Sequence, residues 1–239
     1  MSRFTRPFLV LLLLGSSVLP SGAQRPASPA RGYSLARIRS NPFPNELNAA
    51  AKANRIVWAF NERGRRNLWV AEGPEFVARQ LTQYGQDDGQ ELTSVQLTAD
   101  GRFVVYVRGG DHGSNFDDEL PVNPMAMPTP TKVQVWVVPF EGGAPRSLGE
   151  GDAPVVSPAG DQVAFQRGNQ LWLAPVEGAA PAKQLFTARG SNGSAKWSPS
   201  GDRLAFVSRR GDHSFLGIYR DAETPIVYVA PSTNRDDSP

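Results

Sequence analysis

The sequence has no cysteine among its 239 residues. That excludes disulfides, Cys-ligated zinc, iron–sulfur clusters and a thiol nucleophile. Two histidines, His112 and His213, are too few for a His-rich metal cage. Charge of one sign is lacking too. Removing Arg3 and Arg6, which fall in the leader, from the 25 basic residues leaves 23, against 23 acidic ones. A neutral chain without a basic run argues against a nucleic-acid partner. The apolar run Phe8 to Leu14 falls short of the roughly 20 residues a membrane helix needs. What is plentiful is Gly (23) and Pro (21), which signals many turns.

Residues 1–23 read as an export signal peptide. Arg3 and Arg6 precede the apolar run, and Ser21-Gly22-Ala23 supplies small residues for cleavage. An uncleaved N-terminal anchor is the rival reading. The absence of cysteine excludes a lipoprotein anchor. The mature chain is therefore expected to be exported, periplasmic or extracellular, with no membrane contact after cleavage. Residues 24–43 are rich in Pro, Ser and Arg and read as an extended linker.

The remainder, 44–239, repeats. Val95–Val107, Pro154–Gln166 and Ala195–Val207 align without gaps on Gly101, Gly160 and Gly201. Each is a short apolar strand, a turn ending in glycine, and a strand of alternating apolar residues. A degenerate copy runs from Asn48 to Phe60, with Asn54 expected to take the left-handed position that glycine holds elsewhere. Third strands follow at 67–70, 135–138, 170–173 and 216–219. Fourth strands follow at 78–82, 145–148, 182–187 and 225–229. Trp69, Trp136 and Trp172 recur in the third strand and read as blade-packing core. Four antiparallel strands over about 40 residues is the period of a β-propeller blade. The marker glycines are 59 and then 41 residues apart, so the second unit carries an insertion, residues 111–131. The expected fold is all-β, a β-propeller of about four blades (45–92, 93–152, 153–193 and 194–231) forming an incomplete ring. Pro231–Pro239 reads as the linker into another first strand. An ordinary β-sandwich is the alternative.

Trp197-Ser-Pro-Ser-Gly201-Asp resembles the TolB-type, WD40-like propeller repeat. Other strings are similar to the N-terminal propeller of exported bacterial serine peptidases of the S9, prolyl oligopeptidase type. They are Phe60–Gly64, Asp87–Glu91, Val107–Gly113, Gly149–Ser157, Ala188–Gly193 and Arg210–Phe215. That resemblance implies a propeller that gates access to a C-terminal α/β-hydrolase domain with a Gly-x-Ser-x-Gly elbow and a downstream Asp and His. No Gly-x-Ser-x-Gly occurs in this sequence, so no catalytic residue carries over. The resemblance then implies a chain truncated before its catalytic domain, inactive alone, whose peptide substrate belongs to that missing domain.

No cofactor or metal is expected. Asp111, Asp117, Asp118 and Glu119 supply oxygens that suit calcium but lack the spacing of a known calcium loop, which favours a solvated loop. His112 and His213 sit in echoing Gly-Asp-His turns. A serine-type site would need a Ser and an acid beside one of them; the bland reading is an Asp-His pair that fills a turn. Loops after second strands share a face with the blade-to-blade connections. This puts Asp87, Asp88 and Glu91 on one face with Asp117, Asp118 and Glu119, a cluster that could attract a peptide's amino terminus or meet a protein partner. Ordinary surface acid is the alternative. Asn192-Gly-Ser194 fits a glycosylation sequon but marks a turn. Against the peptidase reading stands a stand-alone, TolB-like periplasmic propeller that binds proteins. A decayed gene product is the third option.

Overall fold

The structure, a computed structural model, describes residues 34–109, 131–229, 231, 235, 238 and 239. The chain divides into a unit ending at Ile38 and a unit, Arg39–Pro239, that holds every sheet. The linker expected to be extended as far as residue 43 contains one helical turn, α1 (Leu35–Arg39). Its start is capped by Ser34 Oγ, which accepts a bond from the Arg37 N–H at 3.2 Å.

Four separate four-stranded antiparallel sheets follow, each in simple up-and-down order. The first holds β1 (Phe43–Ala49), β2 (Arg55–Glu62), β3 (Arg65–Glu72) and β4 (Arg79–Gln80). The second holds β5 (Leu92–Leu97), β6 (Phe103–Arg108), β7 (Gln134–Pro139) and β8 (Arg146–Glu150). In the third are β9 (Asp152–Val156), β10 (Gln162–Arg167), β11 (Gln170–Pro175) and β12 (Lys183–Gln184). The fourth comprises β13 (Ser191–Trp197), β14 (Leu204–Arg209), β15 (Ser214–Tyr219) and β16 (Val227–Val229).

The marker glycines do the same thing three times. Gly101, Gly160 and Gly201 have φ of 73, 75 and 77°. Their N–H groups bond the carbonyls of Thr98, Ser157 and Ser198. Only glycine enters that region without a Cβ penalty. Seven residues before each glycine the inner strand bulges on a left-handed residue: Ser94, Ala153 and Ser194. The pairing register shifts beside each bulge.

The first blade corrects the alignment by one residue. Its bulge is Glu46, at φ 57°, and seven residues on is Ala53, not Asn54. Register agrees: Ala49 pairs with Ile56 as Leu97 pairs with Val104. Asn54 does not take the left-handed conformation; its carbonyl accepts a bond from the Gly73 N–H at 2.7 Å. A one-residue slip exchanges the two faces of a strand. Trp58 is thus the equivalent of Tyr106, Phe165 and Phe206, and Ile56 that of Val104, Val163 and Leu204.

Each blade has a front face toward the preceding blade and a back face toward the next. Val57, Ala59, Leu68 and Val70 on the back of blade one pack on Val104, Tyr106 and Val138. Val105, Val107, Val135 and Val137 on the back of blade two pack on Val163, Phe165 and Ala174. Ala164 and Leu171 on the back of blade three pack on Leu204 and Phe206. Among the described residues no core cluster joins the first and fourth sheets, so the four blades form an open arc. The inner strands are stitched to one another by side chains. Asn48 Oδ1 accepts the Leu97 N–H at 3.0 Å, Gln96 Oε1 accepts the Val156 N–H at 3.2 Å, and Trp197 Nε1 donates to the Val155 carbonyl at 3.1 Å.

The recurrent tryptophans take different surroundings. Trp136 and Trp172 lie half-buried against the first and second junction cores. Trp69 holds the same sheet position in blade one, where no other described sheet packs against it. In blade four that position is Gly217, and the Phe206 ring fills the space; a Cβ on Gly217 would sit 2.4 Å from it.

The turn of blade two carries a pH-sensitive contact. Partial burial pushes the Asp100 carboxyl up. Bonds from the Thr98 hydroxyl (2.6 Å), the Arg102 N–H (3.0 Å) and the Arg102 guanidinium (2.7 Å) outweigh burial and hold it below the ordinary carboxylate range. A carboxyl depressed on folding stabilises above its unfolded value, about 3.9, and loses that contribution as pH falls through its folded value. Asp100→Asn should therefore lower Tm near neutrality, and the gap should close in acid. Thermal denaturation across a pH series checks this; a gap constant with pH contradicts it.

Candidate functional site

The segment between β4 and β5 lies over the first junction, and a polar network holds it there. Asn67, on β3, is saturated from one side. Its Oδ1 accepts the Thr82 hydroxyl (3.0 Å) and the Tyr84 N–H (2.7 Å), and its Nδ2 donates to the Tyr84 carbonyl (2.9 Å). Tyr84 is thereby aimed at the junction, where its hydroxyl lies 2.8 Å from that of Tyr106. Burial pushes the Tyr84 hydroxyl up, and the Tyr106 hydrogen bond and the Arg108 cation only partly offset this. Burial and the facing Tyr84 push the Tyr106 hydroxyl far above the ordinary phenol range. Both phenols stay neutral and act as a hydrogen-bonded clasp rather than as bases.

Arg108 closes the network. Its guanidinium lies 4.1 Å from the Tyr84 ring centroid, donates to Gln90 Oε1 at 2.8 Å and pairs with Asp88 Oδ2. Asp88 also accepts the Gln90 N–H at 3.1 Å. Asp87 is exposed and lies 3.7 Å from Arg66. These two carboxylates are thus matched by two arginines, and they project less negative field than their sequence suggests. Glu91 is half-buried just before β5. His213 Nδ1 lies 2.8 Å from Asp212 Oδ1, and its ring packs on Phe215 at 5.0 Å. The His213 contact holds the Asp212 carboxyl below the ordinary range. The Asp-His pair fills its own turn, which the Arg210 N–H closes onto the His213 carbonyl at 2.8 Å. Asp111, His112, Asp117, Asp118 and Glu119 lie outside the described residues. Among the described residues no three His, Asp or Glu side chains are grouped to hold a metal ion. No described helix is long and apolar enough to cross a membrane.

A second feature escaped the sequence. On the front of blade one, Phe60, Trp69 and Tyr84 wall a cavity of about 240 Å³, with Asn67 and Gln80 among its lining residues and the Glu62–Arg65 pair at its rim. Trp58, Phe60 and Trp69 stack edge to face along it at 5.7 and 5.6 Å. The three aromatic rings stand among Glu62, Arg65, Asn67, Gln80 and Gln83, and most of the exposed lining is polar, which suits a polar or amphipathic segment offered by another polypeptide. The period-two alternation of β2 was the available signal, and the one-residue slip concealed it.

This architecture defines the class: a β-propeller in an open arc. No family model matches the chain, and no curated protein does. Solved propellers do. TolB from Acinetobacter baumannii is 15% identical over 80% of this chain and 44% of its own, with a TM-score of 0.52. A structure from work on two prolyl endopeptidases is 10% identical over 80% of this chain and 30% of its own, with a TM-score of 0.57. The propeller domain of the Trilobed protease from Pyrococcus furiosus, described as having an open velcro topology, is 10% identical over 78% of this chain and 57% of its own, at 0.52. The chain thus spans less than two thirds of each, and at these identities the likeness establishes the fold.

Proposed function

We propose that this chain is the non-catalytic propeller portion of an exported serine peptidase of the S9, prolyl oligopeptidase type. The observation that carries this reading is the ordered set of S9-like strings, Phe60–Gly64 through Arg210–Phe215, running along the successive blades of a propeller. The propeller gates substrate access, and peptide hydrolysis belongs to an α/β-hydrolase domain encoded further on. The test is the reading frame after the Pro239 codon. A fifth repeat and then Gly-x-Ser-x-Gly are expected; a stop codon followed by unrelated sequence would sink the reading. The purified chain should neither cleave peptides nor react with a fluorophosphonate probe, since it has no activated serine elbow. A second reading, a TolB-like periplasmic propeller that binds proteins, is favoured by the aromatic cavity on the front of blade one.

A further inference from the structure

The junction between blades three and four carries a guanidinium that is held in place and left without an acid. Arg210 follows β14, in the turn before β15. Its guanidinium carbon lies 4.8 Å from the Phe215 ring centroid and 4.9 Å from that of Tyr228. Its Nε donates to the Ser208 hydroxyl at 3.3 Å, and that hydroxyl donates to the Arg189 carbonyl at 3.0 Å. Arg189 belongs to the connection between the two blades, and Tyr228 packs against the core that joins them. The site thus stands between two described blades and draws on neither outer face. Two rings and one bond fix the guanidinium, and its two terminal nitrogens have no partner among the described residues.

Elsewhere in the arc, a stacked arginine meets a carboxylate. Arg108 lies on Tyr84 and pairs with Asp88. Arg167 lies 4.7 Å from the Trp172 centroid. The Glu150 carboxyl, held below the ordinary range by its Lys132 contact, feels Arg167 as well. The rings and acids come from different positions in the two cases, so what they share is chemistry: an arginine held on a ring beside an acid. Arg210 has the rings and lacks the acid. The adjacent Asp212 is drawn to His213 Nδ1 at 2.8 Å and forms no ion pair with Arg210. More positive charge lies close by. A Cβ on Gly190 would sit 2.2 Å from the Arg209 carbonyl oxygen and 3.0 Å from Arg210 Cγ, so the chain brings Arg189, Arg209 and Arg210 together around that glycine. Arg189 and Arg209 are exposed, and neither forms an ion pair among the described residues.

We propose that Arg210 is the anchor for a carboxylate carried by another polypeptide. A guanidinium fixed in plane offers its terminal nitrogens to both oxygens of one carboxylate, and little side-chain freedom is lost when they bind. The Phe215 and Tyr228 rings give an apolar wall to the segment that carries the acid. Arg189 and Arg209 strengthen the local positive field. An acidic side chain and a free carboxyl terminus share this chemistry, and the test separates them. The proposal does not rest on the peptidase reading, because the reading frame decides that one and binding to this chain decides this one.

The test is titration of the purified, isotope-labelled chain with three short peptides, followed by its amide and arginine Nε resonances. Acetyl-Gly-Glu-Gly-amide carries only a side-chain acid, acetyl-Gly-Gly-Gly only a terminal one, and acetyl-Gly-Gln-Gly-amide neither. At least one acidic peptide should shift residues 208–215 and the Arg210 Nε saturably, with a dissociation constant on the order of millimolar. The peptide that does so identifies the source of the carboxylate. Arg210→Gln should weaken that binding about tenfold or more. Arg210→Lys keeps the charge and the stem and should still weaken it about threefold, because an ammonium offers no planar fork. Arg167→Gln removes a guanidinium that already has its acid and should leave the binding unchanged. Resonances away from the third junction should match the wild type in every variant. An equal response to the neutral peptide, no saturable response to either acidic one, or wild-type affinity in Arg210→Gln or Arg210→Lys would each overturn the proposal.

Discussion

Phe165→Ala should cost about 3–5 kcal/mol and split the unfolding transition in two. The ring is fully buried in the core between blades two and three, where Val105, Val107, Val135 and Val137 face Val163 and Ala174. The space cannot relax easily, because Gly151 approaches it closely: a Cβ there would lie 2.5 Å from the ring. Blades are coupled only to their neighbours, so stability is a sum of blade and junction contributions. A closed ring offers two routes between any pair of blades, whereas an open arc offers one. Weakening the middle junction of an arc therefore separates blades one and two from blades three and four. Trp58→Ala provides the comparison. It stands at the same sheet position but is only half-buried, and should cost about 1 kcal/mol. Urea unfolding followed by tryptophan fluorescence and far-UV dichroism checks both. Equal losses at the two positions, or a single coincident transition for Phe165→Ala, would contradict the arc.

Much of this architecture was legible because the repeat writes its turn chemistry openly. A glycine two or three residues before the second strand of blades two, three and four gives the turn, and alternating Val, Ala and Phe residues give the buried strand. The copy without glycine was the one misread. Asn54 and Ala53 are equally plausible from sequence, since neither a turn bond nor a pairing partner is visible there. Only the register of Ala49 with Ile56 decides between them. That residue determines which side of blade one holds Trp58 and Phe60, and therefore whether an aromatic face is buried or free.

The site was less legible, for a different reason. Asp87 and Asp88 stand out in the sequence as an acidic pair. Their partners Arg66 and Arg108 are some 20 residues away and reach them only once the blades are packed. The Tyr84–Tyr106 contact crosses from one blade to the next. These contacts, unlike the Asn48–Leu97 and Gln96–Val156 bonds between inner strands, have no counterpart in the other blades, so repeat analysis is blind to them. They show only when buried polar groups are asked for their partners.

Arg108 is the residue on which that network turns. Its side chain is 16% exposed and that of Asp88 21%, so the pair is screened far less than a surface bridge. Arg108→Met keeps the apolar stem against Tyr84 and removes the guanidinium from Asp88 and Gln90 at once. The carboxylate is then left with the Gln90 amides alone, and leaving a largely desolvated charge without its counterion costs more than the pair contributed. A loss of about 2–3 kcal/mol is expected in urea unfolding. Arg108→Lys should recover only part of it, because an ammonium cannot span two acceptors and lie flat on the Tyr84 ring together. Asp88→Asn in the Arg108→Met background should recover more, since it removes the stranded charge, and the double-mutant cycle then isolates the coupling. Hydrogen exchange should localise the damage to residues 83–91, which the network clasps to the junction. A loss below about 0.5 kcal/mol, or one abolished by moderate salt, would mean that Asp88 and Arg108 are an ordinary surface pair.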